Sequence, residues 1–198
     1  MKRIALMTLL AVVLGAPALL VAQTENHVEL GPFVDYMRFD RTNTINFVGA
    51  GGRIGFYVNP YTSLEAEMSY DFGRTLVDTG SNTFNTNFAT TKLRPLTGLF
   101  GPKFQFGSGP ADFFVTGKLG FVNFGTSNNK NLAALGSGFS NQVAGITDGD
   151  TRFALYPGIG VEGFWGHFGI RLDVGDEIYF LNGTRNNLKV NFGPHFRF

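Results

Sequence analysis

The feature that most constrains the fold is a regular alternation of apolar and polar residues at the end of the chain. One parity of this segment holds Leu188, Val190, Phe192, Pro194, Phe196 and Phe198, and the other holds Lys189, Asn191, Gly193, His195 and Arg197. Alternate side chains lie on opposite faces of a strand, so the segment predicts a β-strand with one apolar face and one polar face. An apolar strand at a sheet edge invites aggregation, whereas a closed barrel has no edge. The pattern therefore predicts a closed barrel whose apolar face is covered by lipid.

The same alternation recurs along the chain and predicts eight strands, joined by short turns and longer polar segments in turn. Short turns fall near residues 60, 109 and 166, and longer segments near residues 43, 83, 138 and 182. Short connections on one rim and long ones on the other are typical of outer-membrane barrels. We therefore predict an all-β fold, an eight-stranded antiparallel up-and-down transmembrane β-barrel over residues 26–198. The longer predicted loops include Thr75–Thr90, Ser127–Asp150 and Ile178–Asn187.

The N-terminus has the organisation of a signal peptide. A basic Lys2-Arg3 pair precedes the apolar segment Ile4–Leu14, and small residues follow it. This order predicts a signal peptide over residues 1–22, with cleavage after Ala18 or Ala22. An uncleaved anchor helix is the alternative, because the uncharged segment is long enough to span a bilayer. Pro17 and the small residues favour cleavage.

Composition excludes several classes of function. The formal net charge is +1 and cysteine is absent. A near-neutral chain lacks the basic surface of a nucleic-acid-binding protein. The lack of cysteine excludes disulfides, thiol catalysis and cysteine-ligated metals. The mean hydropathy of +0.04 argues against a helical membrane bundle but not against a barrel, because alternating strands average out.

With its signal peptide, its eight alternating strands and its terminal aromatic residues, the chain resembles the small outer-membrane β-barrel family, the OmpA transmembrane-domain and OmpX-like group. The resemblance implies a location in the outer membrane of a Gram-negative bacterium, lipid as a partner, and a monomer. It also implies that Phe192, Phe196 and Phe198 form the assembly signal that the barrel-insertion machinery reads. It does not extend to the peptidoglycan-binding domain of OmpA, so it does not imply a tether to the cell wall. The family hosts unlike functions, so the resemblance implies no activity.

The polar parity of the strands predicts a charged barrel interior. It carries a lumen charge network of Arg53, Glu65, Glu67, Asp71, Lys103, Lys118, Glu162, Arg171, Asp173, Lys189 and Arg197, together with His195. An eight-stranded barrel is only wide enough for side chains to fill it. Each buried charge then needs a partner, because an isolated one is costly. The short turns predict that Arg53 lies near Glu67 and that Glu162 lies near Arg171.

Aromatic residues near the predicted strand ends suggest two interfacial girdles. The short-turn rim would hold Tyr57, Tyr61, Trp165, Phe196 and Phe198, and the loop rim Tyr36, Phe39, Phe124, Phe153, Tyr179 and Phe180. A soluble lipocalin-like barrel would reverse the faces. Volume argues against it, because the many Phe and Leu side chains would overfill eight strands.

Three functions remain open at this point. A structural or surface-interaction barrel with a salt-bridged interior is favoured. The first alternative is a narrow pore for ions or small solutes, since rings of charge also select ions. The second is an adhesin that binds an extracellular ligand through loops 75–90 and 127–150, because long loops on a rigid scaffold often carry function.

An enzyme is not expected, and neither is a cofactor. The segment Gly158–Gly163 matches a dinucleotide fingerprint by letter, but it lies inside a predicted strand, whereas the fingerprint follows a strand and opens a helix. His27 and His195 share the interior parity on the first and last strands. Two such ligands without a third do not predict a metal site.

Overall fold

The structure, a computed structural model, describes residues 27–39, 45–82, 85–107, 111–128, 146, 148–181 and 183–198, without the side chains of residues 76–91 and 128. The predicted signal peptide, the turn at residues 108–110 and most of the predicted loop after residue 128 lie outside this part of the chain. Within it, no helix has the length and apolar character needed to cross a membrane.

Nine antiparallel strands make up this part of the chain. They are β1 (Val28–Phe39), β2 (Ile45–Asn59), β3 (Thr62–Asp71), β4 (Arg74–Asn82), β5 (Asn85–Phe106), β6 (Ala111–Asn128), β7 (Asp150–Trp165), β8 (Phe168–Phe180) and β9 (Thr184–Arg197).

The sheet closes into a barrel of eight strands. Strand β1 pairs with both β2 and β9, and β3 pairs with β5, so the ring is complete without β4. Strand β4 continues the course of β3 after a break at residues 72–73 and pairs with β5. The predicted fold is confirmed, and the C-terminal strand has β1 as its partner: Leu30 lies opposite Phe196, and Val34 lies opposite Phe192.

Two predicted short turns are present. Strands β2 and β3 are joined through Pro60 and Tyr61, and β7 and β8 through Gly166 and His167. Gly166 has a φ of 65°, in the left-handed region that glycine adopts without a steric penalty.

The prediction of a loop over Thr75–Thr90 is wrong. This stretch forms most of β4 and the beginning of β5, a hairpin in which Arg74 lies opposite Leu93 and Asn82 lies opposite Asn85. The sequence predicts a loop here because this stretch lacks the apolar–polar alternation that indicates a half-buried strand. Threonine, abundant here, nevertheless favours strands.

The predicted loop Ile178–Asn187 is also too long. Strand β8 continues to Phe180 and β9 begins at Thr184, so only residues 181–183 connect them. The predicted loop Ser127–Asp150 begins inside the end of β6 and ends at the first residue of β7.

The two faces of the barrel are those that the volume argument predicts. The apolar parity faces outward, with Ile159 63% exposed and Phe113 66% exposed, whereas Lys103, Glu65 and Lys189 are fully buried inside. A band of exposed aliphatic and aromatic side chains around a closed sheet is the surface that a lipid bilayer covers.

A charged substitution should cost most at mid-depth on the outer face. Phe192 lies in the middle of β9 and Phe106 at the short-turn end of β5, and both point outward. We expect Phe192→Arg to lower the free energy of unfolding by about 2–4 kcal/mol and Phe106→Arg by only about 0–1 kcal/mol. Urea unfolding in lipid vesicles measures both. Equal losses would contradict this placement of the bilayer.

Candidate functional site

Most of the charged residues of the interior gather in the half of the barrel near the short turns. We define the charge network as five cations and five carboxylates: Arg53, Lys103, Lys118, Arg171 and Arg197 with Glu29, Glu65, Glu67, Glu162 and Asp173. They come from β1, β2, β3, β5, β6, β7, β8 and β9, so every strand of the ring contributes. Each projects inward because it occupies the parity opposite the lipid-facing residues.

Glu65 is the centre of this network. Its carboxylate lies 2.5 Å from Arg171 Nη1, 2.9 Å from Lys118 Nζ and 3.4 Å from Lys103 Nζ. Arg171 also places Nη2 3.1 Å from the second carboxylate oxygen, a bidentate contact of the kind that the planar guanidinium favours. Three cations from three different strands, the adjacent β5, β6 and the opposite β8, thus surround one buried acid.

The two pairings that the turns predict are present, although neither is exclusive. Arg53 Nη2 lies 3.2 Å from Glu67 and also 3.2 Å from Asp173. Glu162 lies opposite Arg171 in the register of β7 and β8, with their charged atoms 3.7 Å apart, but Arg171 lies closer to Glu65.

Aromatic and neutral polar groups fill the spaces between these ions. The Arg171 guanidinium lies 4.0 Å from the centre of the Phe114 ring, a cation–π contact. Tyr156 donates its hydroxyl hydrogen to Asp173, and Gln105 donates to Glu162. Such additional hydrogen bonds are what make a buried ionic network tolerable.

Sequence analysis missed three buried acids. Glu29 lies 2.8 Å from Lys103 and 3.1 Å from Arg197, and Glu177 lies 2.8 Å from Lys189. Asp35, the third, lies 3.5 Å from Lys189. The alternation in β1 places Glu29 and Asp35 on the polar parity and could have found them. Glu177 was not predicted as an interior residue because the strand predicted before the terminal one was shorter than β8, which continues to Phe180.

Asp71 and Lys189, both predicted interior charges, lie deeper toward the loop side than the charge network. Lys189 binds Glu177, whereas Asp71 makes no ion pair with any residue that the structure describes. His195 is buried with Nε2 3.1 Å from Glu29.

The loop-side half of the interior is apolar, which the sequence did not predict. We define the apolar cluster as Met37, Phe39, Phe47, Leu93, Leu99, Val122, Phe124, Ile146, Ala154, Tyr156, Tyr179 and Leu181. Phe39 lies at its centre: its ring stacks on Tyr179 at 5.8 Å and meets Phe47 edge-to-face at 5.7 Å. These side chains close the barrel above the charges.

Part of the predicted aromatic girdles is therefore wrong. Phe39, Phe124 and Tyr179 are buried inside the barrel, and Tyr57 points inward, where its hydroxyl donates to Glu29. Each was placed in a girdle by its position near a strand end, although its parity matches the inward charges of the same strand. The other predicted girdle residues face outward: Tyr36, Tyr61, Phe153, Trp165, Phe180, Phe196 and Phe198.

One group of interior side chains has the composition of a metal site. Potential ligand atoms of Glu29, Glu162 and His195 lie within 4.8 Å of one another. Lys103 and Arg197 already contact both carboxylates, at 2.8 to 3.5 Å. A metal ion here would have to displace two cations, so the arrangement is that of an ion-pair network.

Comparisons with known proteins agree with this architecture. The model of the outer membrane protein beta-barrel domain family matches residues 5–196. A search of curated proteins found no match. Among solved structures, the chain is similar to Ail, the attachment invasion locus protein of Yersinia pestis (12% identity, 88% of this chain and 100% of that chain, TM-score 0.57). It is also similar to Neisserial surface protein A (11% identity, 89% and 100%, TM-score 0.56).

The chain belongs to the outer membrane protein β-barrel domain family. It is a protein of the outer membrane, and the exposed apolar band is its lipid-facing surface. At these low identities the solved structures establish the fold alone. The N-terminal barrel of Pseudomonas aeruginosa OprF shares it as well (16% identity, 89% and 100%, TM-score 0.50).

Removing one central cation should destabilise this outer-membrane barrel. Arg171→Met leaves the Glu65 carboxylate with one fewer partner, and breaking a buried ionic network in this way costs about 3–5 kcal/mol. Urea unfolding in detergent, followed by the shift in mobility between heated and unheated samples, measures the loss.

Ile170→Met is the matched control for this experiment. Ile170 is the neighbour of Arg171 on β8 and points to lipid, so exchanging one apolar side chain for another should change stability little. An Arg171→Met variant as stable as the Ile170→Met variant would show that Arg171 contributes nothing to the fold.

Proposed function

We propose that this outer-membrane barrel is a non-conducting protein with a structural or surface-interaction role. The observation that carries this proposal is the filling of its interior by two layers in series. The charge network occupies the short-turn half, and the apolar cluster occupies the loop half.

A pore for ions or small solutes is less well supported. Conduction requires a wetted path and charges that bind an ion weakly enough to release it. In this interior, Lys103, Arg171 and Glu65 are almost fully buried and are bound to one another or to other network members. Their fields cancel locally, so they offer no ring of one sign.

An enzymatic role is also less well supported. Acid–base catalysis needs a carboxyl group that can exchange a proton with a substrate. The network carboxylates Glu65, Glu67 and Glu162 are each bound by Lys or Arg, and each is buried below the apolar cluster.

The assembly signal and the signal peptide belong to the same proposal. Phe192, Phe196 and Phe198 all point outward from β9, where another protein can contact them before the barrel enters the membrane. We propose that they are read by the barrel-insertion machinery, that residues 1–22 direct export, and that the protein is a monomer.

Conductance across a planar bilayer tests the absence of a pore. We expect no step currents from the refolded protein, because two layers of packed side chains lie in series. A triple variant, Phe39→Ala with Phe124→Ala and Tyr179→Ala, should stay silent too, since the charge network still closes the other half. Step currents from the unaltered protein would refute the proposal that the packed interior blocks the passage of ions.

A projecting hairpin supports the surface-interaction role. In the part of the chain that the structure describes, the pairing of β5 with β6 ends at Thr91 opposite Asn128, and residues 85–90 pair with β4. The hairpin therefore continues past the last described residue pair of β5 and β6. Its base is fixed where Arg74 Nε donates to the Asn46 carbonyl at 3.1 Å. Such a strand pair presents a more ordered surface to an extracellular partner than an open loop.

Shortening this hairpin should separate binding from folding. Val77 lies opposite Thr90, so residues 78–89 can be replaced by Asn-Gly, which suits a two-residue turn. We expect the variant to keep its heat-dependent gel shift and to lose adherence of producing cells to host cells or matrix. Replacement of residues 130–144 tests the other long connection in parallel. Unchanged adherence in both variants would exclude a surface role for these segments.

A further inference from the structure

A layer of acidic residues separates the charge network from the apolar cluster. We define the acidic layer as Asp35, Asp71 and Glu177 with Lys189, all of them at most 2% exposed. The Lys189 ammonium lies 2.8 Å from Glu177 and 3.5 Å from Asp35, and it donates to Ser69 Oγ at 2.9 Å. The acidic layer thus holds one cation and three carboxylates, an excess of two negative charges when all of them are ionised.

The charge network cannot supply the missing positive charge. Its cations and carboxylates are equal in number, and the ion pairs among them involve all of its members. An ionised carboxylate that is buried without compensation is too costly to persist. The excess of the acidic layer is therefore offset either by a proton or by a cation from outside the chain.

The excess is concentrated at Asp35 and Asp71. These residues lie on β1 and β3, and Gly49 of β2 lies between them, opposite both. The Asp35 carboxylate occupies the space that a side chain at Gly49 would fill, so it leans toward β3. Among the residues that the structure describes, none donates a hydrogen bond to any of the four carboxylate oxygens.

A neutral side chain beside this pair points independently to a ligand. Asn191 lies opposite Asp35 on β9 and is 1% exposed, yet neither its amide oxygen nor its amide nitrogen has a hydrogen-bond partner in the described part of the chain. Buried amides in native proteins are nearly always bonded, and an ion or a water is a usual partner of those that are not bonded to protein.

We propose that Asp35, Asp71 and Asn191 bind a hydrated divalent cation of the class that prefers oxygen ligands, such as Mg²⁺ or Ca²⁺. Two carboxylates and an amide oxygen are suitable ligands for such a cation, and water completes its coordination. Its charge equals the excess of the acidic layer. The group of Glu29, Glu162 and His195 differs, because cations of the protein already neutralise it.

The cation enters during folding. Met37 and Phe47 pair with each other one interior layer nearer the loops than Asp35 and Gly49, and both are fully buried. They separate the site from the loop side, and the charge network separates it from the short-turn side. A chelator added to the folded protein should therefore act slowly, so the metal must be varied while the protein refolds.

Refolding with defined metals tests the proposal. The protein purified from outer membranes is unfolded and refolded in a zwitterionic detergent free of lipopolysaccharide, with EDTA, MgCl₂ or CaCl₂ at equal ionic strength. After desalting, elemental analysis should find about one divalent ion per chain. The urea midpoint should be higher with metal than with EDTA and should rise with metal concentration, because the ligand binds the folded state.

Two variants and a control make the result specific. Asp71→Asn and Asp35→Asn should bind no metal, and their midpoints should not respond to it. In EDTA they should be at least as stable as the unaltered protein, since they carry less excess charge. Glu162→Gln, a neutralised acid of the charge network, should lower the midpoint and keep the metal response.

Other results overturn the proposal. It is wrong if the unaltered protein refolds without bound metal and with the same midpoint in all three solutions, or if Asp71→Asn and Asp35→Asn both bind as much metal as the unaltered protein. If the urea midpoint does not respond to metal but falls as the pH rises, the two aspartates share a proton instead of binding a cation.

Discussion

Closure of the sheet on itself is the constraint on which the rest of this structure depends. In lipid no water satisfies backbone groups, so a strand with a free edge cannot be placed there. The pairing of β9 with β1 removes that edge and continues to the last residue. Val28 N–H donates to the Phe198 carbonyl at 3.0 Å, and Phe198 N–H donates to the Val28 carbonyl at 2.9 Å. The apolar C-terminal strand is thus a wall of the barrel.

Closing eight strands also fixes the volume of the interior, and side chains must fill it. Large interior side chains then require small neighbours. Gly160 on β7 faces Phe114, whose ring occupies the space that a side chain at Gly160 would need. The Arg171 guanidinium lies over the same ring. Gly160, one of the glycines that match a dinucleotide fingerprint by letter, therefore leaves room for the ring against which the Arg171 guanidinium lies.

Much of the fold could be predicted from sequence because alternation reports the faces of a strand directly. It predicted the closed barrel, the inward position of Arg53, Lys103 and Arg171, and the pairing of Arg53 with Glu67. Which other strands supply the partners could not be predicted. Glu65 contacts Arg171 across the barrel although the two residues are 106 positions apart in sequence. A local sequence pattern does not predict a contact between such distant residues.

The errors have a common physical origin. The hairpin formed by β4 and the start of β5 lacks the apolar–polar alternation that indicates a strand, so the sequence predicts a loop there. Inside the barrel near the loops, apolar side chains point both ways, as Phe39 does inward and Tyr36 outward. In this part of the barrel, the hydrophobicity of a side chain does not tell whether it faces the interior or the lipid. Aromatic residues near strand ends are therefore predicted in a girdle even where they point inward.

The same ambiguity suggests why the barrel keeps a charged half at all. Buried ion pairs are often no more stabilising than apolar packing, so stability alone does not require the network. A slip of one residue in strand register moves every inward side chain to the other face. In the apolar half such a slip exchanges one apolar residue for another. In the charged half it moves Arg53, Glu65 or Arg171 into lipid, at about 2–4 kcal/mol for each Arg at mid-depth. A slip of register is therefore penalised in the charged half and tolerated in the apolar half.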